Sequence, residues 1–301
     1  MTRDEFRGHA AMLMANMVWG AMSPISKSVL QSGLISPIAL SAVRIIGGTL
    51  LFVVAGLFLP GSVVKSDRIQ RCDYLKIFVA SFLIITVNQA LYIVGIGYTS
   101  PIDSAVMSTL TPVFTMICAA IFLKLPITVL KAVGVVFGLV GALIMVVGQV
   151  SGAADAENPM LGDSMCMVAQ LCAALYYVLF KDIITKYSAF TLMRSMFVCS
   201  SCTFGLLMLP EILKTDFTVF GWSEWLSLGY IIVFATFIAY LLIPVSQKVL
   251  KPTAVAMYTY FQPVTSALLA AVLGLAAFGM VKISATLLIF AGVWCVVKGT
   301  K

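Results

Sequence analysis

The chain has 301 residues, 61% of them hydrophobic and 10% charged, with a net charge of +7 and a mean hydropathy of +1.07. A soluble domain carries about a quarter charged residues, so this composition excludes a water-soluble globule and makes lipid the solvent for most of the surface. The basic residues lie in short connections between apolar runs, which argues against a nucleic-acid partner.

A spanning helix needs about 20 apolar residues. Ten candidates follow in order at 9–30, 36–59, 74–97, 101–123, 127–149, 162–185, 188–210, 223–246, 252–277 and 281–298. Arg3 and Arg7 precede the first run as they would in a signal peptide. Nine more runs follow, however, and no convincing cleavage site occurs, so 9–30 reads as the first helix.

Polar side chains within a bilayer are costly and turn toward protein or a watery cavity. Helical spacing shows which face they share. The first span carries Asn16, Ser23 and Lys27, with Trp19 and Gly20 between them. The second carries Arg44. The third carries Ser81, Asn88 and Tyr92 as a stripe, with Gln89 beside it. The fourth has Ser104, Ser108, Thr111 and Thr115, and the sixth has Gln170, Tyr177 and Lys181. The eighth aligns Thr236, Tyr240 and Gln247; the ninth aligns Tyr258, Gln262 and Thr265. Large amphipathic groups on several spans predict a cavity for a partly apolar small molecule. Its expected lining is Trp19, Asn16, Asn88, Gln89, Tyr92, Thr111, Tyr177, Tyr240, Tyr258 and Gln262. For a single Ser or Thr, interhelical hydrogen bonding is the simpler reading. Lys27 and Arg44 are candidate contacts for an anionic group. Arg44 and Arg194 each sit a few residues inside a span, where snorkelling is the alternative.

The chain also repeats itself. Pro101, Ala105, Pro112, Val113, Ala119, Ala120 and Gly141 align without a gap with Pro252, Ala256, Pro263, Val264, Ala270, Ala271 and Gly292. Thr111 then pairs with Gln262, and Gln89 with Tyr240. Each copy holds five spans, and five is odd, so the second copy starts on the opposite side of the membrane. The expected fold is all-α, with ten transmembrane helices as two inverted five-helix repeats, 1–150 and 151–301. Secondary transporters commonly place their site between such halves, near the midplane. Pro112 and Pro263 fall mid-span at matching positions, where proline removes a backbone hydrogen bond. They are candidate hinges or static bends. Gly134, Gly138 and Gly141 mark close helix packing.

Lys and Arg in short loops set orientation. With the N-terminus inside, fourteen basic residues fall at the cytoplasmic face and only Lys214 and Lys282 fall clearly outside. Both termini are expected in the cytoplasm. No Asp or Glu lies mid-span; Asp103 is nearest. Cys199 and Cys202 form a C-x-x-C inside a span and read as apolar packing. No His/Asp cluster, paired carboxylates or phosphate loop points to an enzyme. No cofactor or metal is expected.

The residues resemble the drug/metabolite transporter superfamily, specifically ten-helix EamA-type permeases. The likeness rests on Trp19-Gly20 followed by Lys27, on Arg44, on Leu110-Thr111-Pro112, on Gly134 and Gly141, and on Gln262-Pro263 and Gly292. The family pattern has Leu-Gly-Glu after the fourth and ninth helices. Here Leu123-Lys124-Leu125 and Leu273-Gly274-Leu275 stand there, so no role of that Glu carries over. The resemblance implies an inner-membrane carrier of amino acids or related metabolites, commonly outward. Alternatives are an uptake carrier or exchanger for nucleosides, sugars or organic anions, and, from other classes, a polytopic membrane enzyme or a passive channel. The expected partners are a small-molecule substrate and the lipid bilayer, with the protein as a monomer or homodimer.

Overall fold

A computed structural model describes residues 2–58, 67–98, 106–147, 158–272 and 279–299. Outside it lie Pro101, Asp103, Ala105, the acidic connection with Asp155 and Glu157, the 273–275 stretch and the side chain of Lys27. The fold is all-α. Most of the described helical segments group into ten rods, joined by shorter helical turns such as Lys181–Lys186 and Leu209–Leu213. The rods are α1 (Arg3–Gln31), α2 (Pro37–Phe58), α3 (74–98), α4 (Thr111–Phe122), α5 (Val129–Val147), α6 (Pro159–Leu179), α7 (189–205), α8 (222–249), α9 (252–272) and α10 (Met280–Lys298).

Local sequence explains the rod starts. Thr2 and Glu5 close a capping box on α1. The Asn158 side chain accepts from the Leu161 N–H at α6, and the Ser188 side chain accepts from Thr191 at α7. Each satisfies a backbone N–H that the first helical turn leaves open.

Among the described residues, five segments are long and apolar enough to cross a membrane: Pro37–Phe58, Arg71–Tyr92, Met160–Leu179, Trp222–Val249 and Met280–Lys298. Val106–Phe122 and Val129–Ile144 are shorter apolar helices. Helix α1 has the length, at 29 residues, but is more polar. All ten rods carry exposed large apolar side chains, among them Phe6, Leu57, Leu75, Ile121, Val129, Met160, Val198, Trp222, Val272 and Met280. An apolar outer surface of that extent suits lipid, not water.

Five helix pairs organise the bundle. Helix α1 packs on α8 and α9, α6 packs on α3 and α4, and α5 packs along α10. The last seam is built from glycines on both sides. A Cβ at Gly134 would lie 2.6 Å from the Gly292 carbonyl, and one at Gly292 would lie 2.6 Å from the Gly134 carbonyl and the Gly138 nitrogen. Backbone cannot move aside there, so both positions require glycine. The expected close packing therefore falls within this chain.

Helices α3 and α8 are each interrupted by a π-helical turn, at Phe82–Val87 and Val233–Ile238, a spacing of 151 residues. A π turn adds a residue to the winding and often marks a functional position. It also resets the helical phase. That is why Ser81, before the turn in α3, bonds the Met196 carbonyl at 2.5 Å, while Asn88, after it, bonds Ala169 on another helix.

The prolines do not kink continuous helices. Residues 106–108 are helical, Thr109 and Leu110 form a turn, and Pro112 then sits in the first turn of α4. Proline is tolerated there because its missing N–H has no partner to lose. The Ser108 carbonyl, four residues back, accepts from the Thr111 hydroxyl at 3.0 Å. Pro263 likewise follows a 3-10 turn, Tyr258–Tyr260, that divides α9 into Pro252–Met257 and Phe261–Val272. Both rods are broken just before the proline.

Candidate functional site

The site starts from Arg44, a charged residue in an apolar helix. It is 9% exposed. The guanidinium does not snorkel to a helix end but points into the packed interior. Its Nε donates to Thr236 Oγ1 at 3.3 Å, and its Nη1 lies 3.4 Å from Gln89 Oε1, a long contact. Gln89 Nε2 in turn donates to the Tyr240 hydroxyl at 2.8 Å. Among the described residues, none of the ion pairs involves Arg44. A buried cation held by neutral groups keeps its charge uncompensated, which is costly inside a membrane protein.

Both π turns serve this cluster. Thr236 lies within the α8 turn, and its hydroxyl donates five residues back to Ile231, leaving its oxygen to accept from Arg44. Gln89 lies two residues past the α3 turn, and the extra winding aims it at α8 rather than at α6. Trp19 closes one side, edge-on to the Tyr240 ring at 5.5 Å, with its indole N–H on the Ala235 carbonyl at 2.8 Å. Phe197 meets the other side of Tyr240, with ring centroids 5.1 Å apart.

A cavity of about 10 Å³ lies against this group, lined by Ser41, Arg44, Gln89, Phe197, Thr236 and Tyr240 along with Ile45 and Ile85. That is room for about one water. Any organic substrate therefore requires the helices around Arg44 to part.

Of the residues expected to line a cavity, the structure brings Trp19, Gln89 and Tyr240 together with Arg44. The others occupy separate seams. Asn16 is fully buried; it donates to Met12 O and accepts from Gln262 Nε2 at 2.8 Å, joining α1 to α9. Asn88 donates to the Ala169 carbonyl at 2.7 Å. Ser108 donates to the Tyr92 hydroxyl at 3.1 Å, and Thr111 donates to Gln170 Oε1 at 2.8 Å. Asn88 fastens α3 to α6, Thr111 fastens α4 to α6, and Ser108 ties the turn before α4 to α3. Tyr258 meets His9 Nδ1 at 2.7 Å. Tyr177 is buried against Tyr176, with ring centroids 5.7 Å apart. The Lys27 side chain lies outside the described residues.

Ser41, Thr236 and Phe197 line the cavity without having been expected there. Ser41 stands three residues before Arg44, the spacing of one helix face. Thr236 belongs to the polar stripe of α8. Phe197 carries no polar signal at all.

A second feature lies elsewhere in the interior. The Tyr176 hydroxyl, the Ser246 hydroxyl and both amide atoms of Gln247 are buried with no hydrogen-bond partner among the described residues. Buried polar atoms are nearly always paired, so these mark positions that are satisfied by water or by another arrangement of the helices. At the end of the bundle where α2 stops and α3 begins, Lys186 bonds Asp73 at 2.5 Å and Tyr187 donates to the same carboxylate at 2.7 Å. Asp73 raises the Lys186 pKa above its ordinary value. Asp67 accepts from the Ser188 N–H at 2.5 Å, and its own N–H donates to Thr191 Oγ1 at 2.9 Å. This network ties the start of α3 to the start of α7.

Among the described residues, no group of three His, Cys, Asp or Glu is placed to hold a metal ion.

The sequence profile of the EamA-like transporter family matches residues 6–147 and 160–298. An uncharacterised transporter of Archaeoglobus fulgidus is 28% identical over 227 residues, covering 74% of each chain. An uncharacterised transporter of Bacillus subtilis is 27% identical over 147 residues, covering 49% of this chain and 47% of its own. A WAT1-related protein of Arabidopsis thaliana is 25% identical over 230 residues, covering 70% and 57%. A solved crystal structure superposes with a TM-score of 0.78 at 17% identity, covering 97% of both chains, and shows the same fold.

Proposed function

The chain belongs to the EamA-like transporter family and is a membrane transporter; on that premise we propose that it is a secondary carrier for a small organic metabolite bearing a carboxylate, best an amino acid, moved outward across a bacterial inner membrane. The observation that carries the substrate class is Arg44. Its buried guanidinium has only neutral neighbours among the described residues, and a substrate carboxylate is the charge it lacks. Arginine suits that task because its planar fork matches a carboxylate. Tyr240 and Trp19 supply the apolar wall, and Gln89 and Thr236 orient the guanidinium.

Alternating access between two inverted halves, 1–150 and 151–301, is the mechanism we infer. Three observations support it. The π turns of α3 and α8 stand 151 residues apart, as do Gln89 and Tyr240, which bond each other. Gln89 is nine residues from the end of α3 at 98, and Tyr240 is nine from the end of α8 at 249. In antiparallel rods that is equal depth, near the middle. Finally, the cavity is too small for a metabolite, and Gln247, Ser246 and Tyr176 are buried unsatisfied. Both conditions are relieved if the helices part and water enters on one side. The Asp73–Lys186–Tyr187 network is then a latch for the closed side.

Counterflow in proteoliposomes tests the carrier reading. Vesicles preloaded with one amino acid should accumulate its labelled form transiently and saturably. Flux that rises without saturation would favour a channel. Amino acids exchanging no better than nucleosides or sugars would favour the alternative substrates.

A further inference from the structure

The short helical turn Lys181–Lys186 closes one end of the bundle with two contacts. Lys181 Nζ donates to the Leu250 carbonyl at 3.2 Å, just past the end of α8. At the other end of the turn, Lys186 bonds Asp73 where α3 begins. A single residue, Phe180, separates the turn from α6, so the turn can shift without unwinding that helix.

Behind this closure the interior is polar. Gln247 is 2% exposed, and neither of its amide atoms has a hydrogen-bond partner among the described residues. It follows Tyr240 by seven residues, two turns along the same face of α8 and about 10 Å nearer the closed end. Tyr176 is 1% exposed, and its hydroxyl is likewise unpaired among the described residues. Its ring meets that of Tyr177, and both hydroxyls lie within electrostatic reach of Tyr240. A polar track thus leads from the Arg44 site past two tyrosines to Gln247, and ends one turn short of Leu250. Buried amides and hydroxyls without partners weaken the packed form, and apolar side chains of similar shape would not. Polar groups at these positions therefore serve an arrangement in which the track is open.

We propose that this track is the substrate's path between Arg44 and the end closed by Lys181–Lys186, and that Gln247 and Tyr176 bind the polar groups of an amino acid as it passes. A glutamine amide offers donors to a carboxylate and an acceptor to an ammonium, and a phenol offers one of each. Neutral groups hold a carboxylate more weakly than a guanidinium does, so the cargo is handed on to Arg44. The choice of cargo rests on the carrier reading above; the path rests on the geometry of the track.

Cysteine labelling of the full chain in membrane vesicles tests it, with a membrane-impermeant thiol reagent added from either side. Gln247→Cys and Tyr176→Cys should each react above the background of the native cysteines, and from one side only. That side should be the one from which Lys248→Cys reacts, since Lys248 is exposed at the same end of α8. Asp73→Asn loosens the hold on Lys186 and should speed both reactions about tenfold, the scale of a charge-assisted hydrogen bond. An excess of amino acid should slow them. Gln247→Leu and Tyr176→Phe remove the unpaired groups, and should raise the melting temperature while lowering flux. Labelling that stays at background for both positions, with Asp73→Asn as well as without it, would overturn the proposal. So would labelling from the side opposite to Lys248→Cys, or a lower melting temperature in both apolar variants. Labelling that no amino acid slows, in a chain with saturable amino-acid counterflow, would overturn the binding role. Labelling as expected in a chain without counterflow would strike the carrier reading and leave the path standing.

Discussion

Arg44 holds the candidate site together. Replacing it with Ala leaves Gln89 and Thr236 without one hydrogen bond each in the interior, and unpaired buried polar groups cost about 1–3 kcal/mol. Arg44→Ala also removes the uncompensated buried charge, which offsets that cost, so the melting temperature should change little while flux falls. Arg44→Lys keeps a positive charge but not the planar fork. It should retain most of the stability while weakening substrate binding, because one ammonium cannot serve a carboxylate, Thr236 and Gln89 together. Unfolding curves and counterflow affinity, measured on both variants, separate the two effects. A charge amid apolar residues makes Arg44 visible in the sequence, and the repeat alignment makes Gln89 and Tyr240 visible. Their direct bond is not, because residue spacing does not say which helices meet. Asn88 and Tyr92 share the sequence stripe of α3 yet serve another seam, because the π turn shifts the face without any composition signal. The contact between Tyr258 and His9, 249 residues away, is likewise invisible to residue spacing.

At the scale of the element, the breaks in α4 and α9 are the places where a rod can bend. Thr109 and Leu110 interrupt one, and Tyr258–Tyr260 the other. Pro112→Ala returns an N–H that can reach the Ser108 carbonyl, now capped by Thr111, and favours a continuous helix. Pro263→Ala should act alike on α9. Binding should persist on one side while turnover falls, with cysteine accessibility shifting between inner and outer positions. Unchanged accessibility together with unchanged turnover in both variants would make the breaks fixtures of packing only. The α5–α10 seam gives a sharper test of packing. Gly292→Ala places a methyl against the backbone of Gly134 and Gly138, and overpacking of that kind costs about 1–3 kcal/mol. The melting temperature should fall, and a variant as stable as wild type would mean that the two helices stand further apart. The proline positions were evident from sequence. The turn before each was not, since Thr-Leu and Tyr-Thr-Tyr carry no helix-breaking residue.

For the whole molecule, a composition with so few charges makes the membrane and the all-helical fold legible at once, because only internally bonded backbone survives in lipid. The apolar runs fall in order on the described rods. Span count and sidedness are a separate matter, argued from fourteen basic residues on one face against two on the other. Reporter fusions at the C-terminus and within 150–160 should report opposite sides of the membrane, and a shared side would refute the ten-span topology. What composition and periodicity leave out is the closed state of the site. Whether polar faces enclose space or press together depends on how the rods lean, and here they leave room for about one water beside Arg44.

The central claim is that Arg44 receives a substrate carboxylate. Counterflow with an amino acid and with the amine that lacks its carboxyl group, each run on wild type and on Arg44→Gln, addresses it most directly. Wild type should exchange the amino acid and discriminate against the amine. Arg44→Gln should lose about tenfold or more for the amino acid, the scale of a charge-assisted hydrogen bond, and should no longer tell the two compounds apart. Equal exchange of acid and amine by wild type, or an undiminished preference for the acid in Arg44→Gln, would contradict the account.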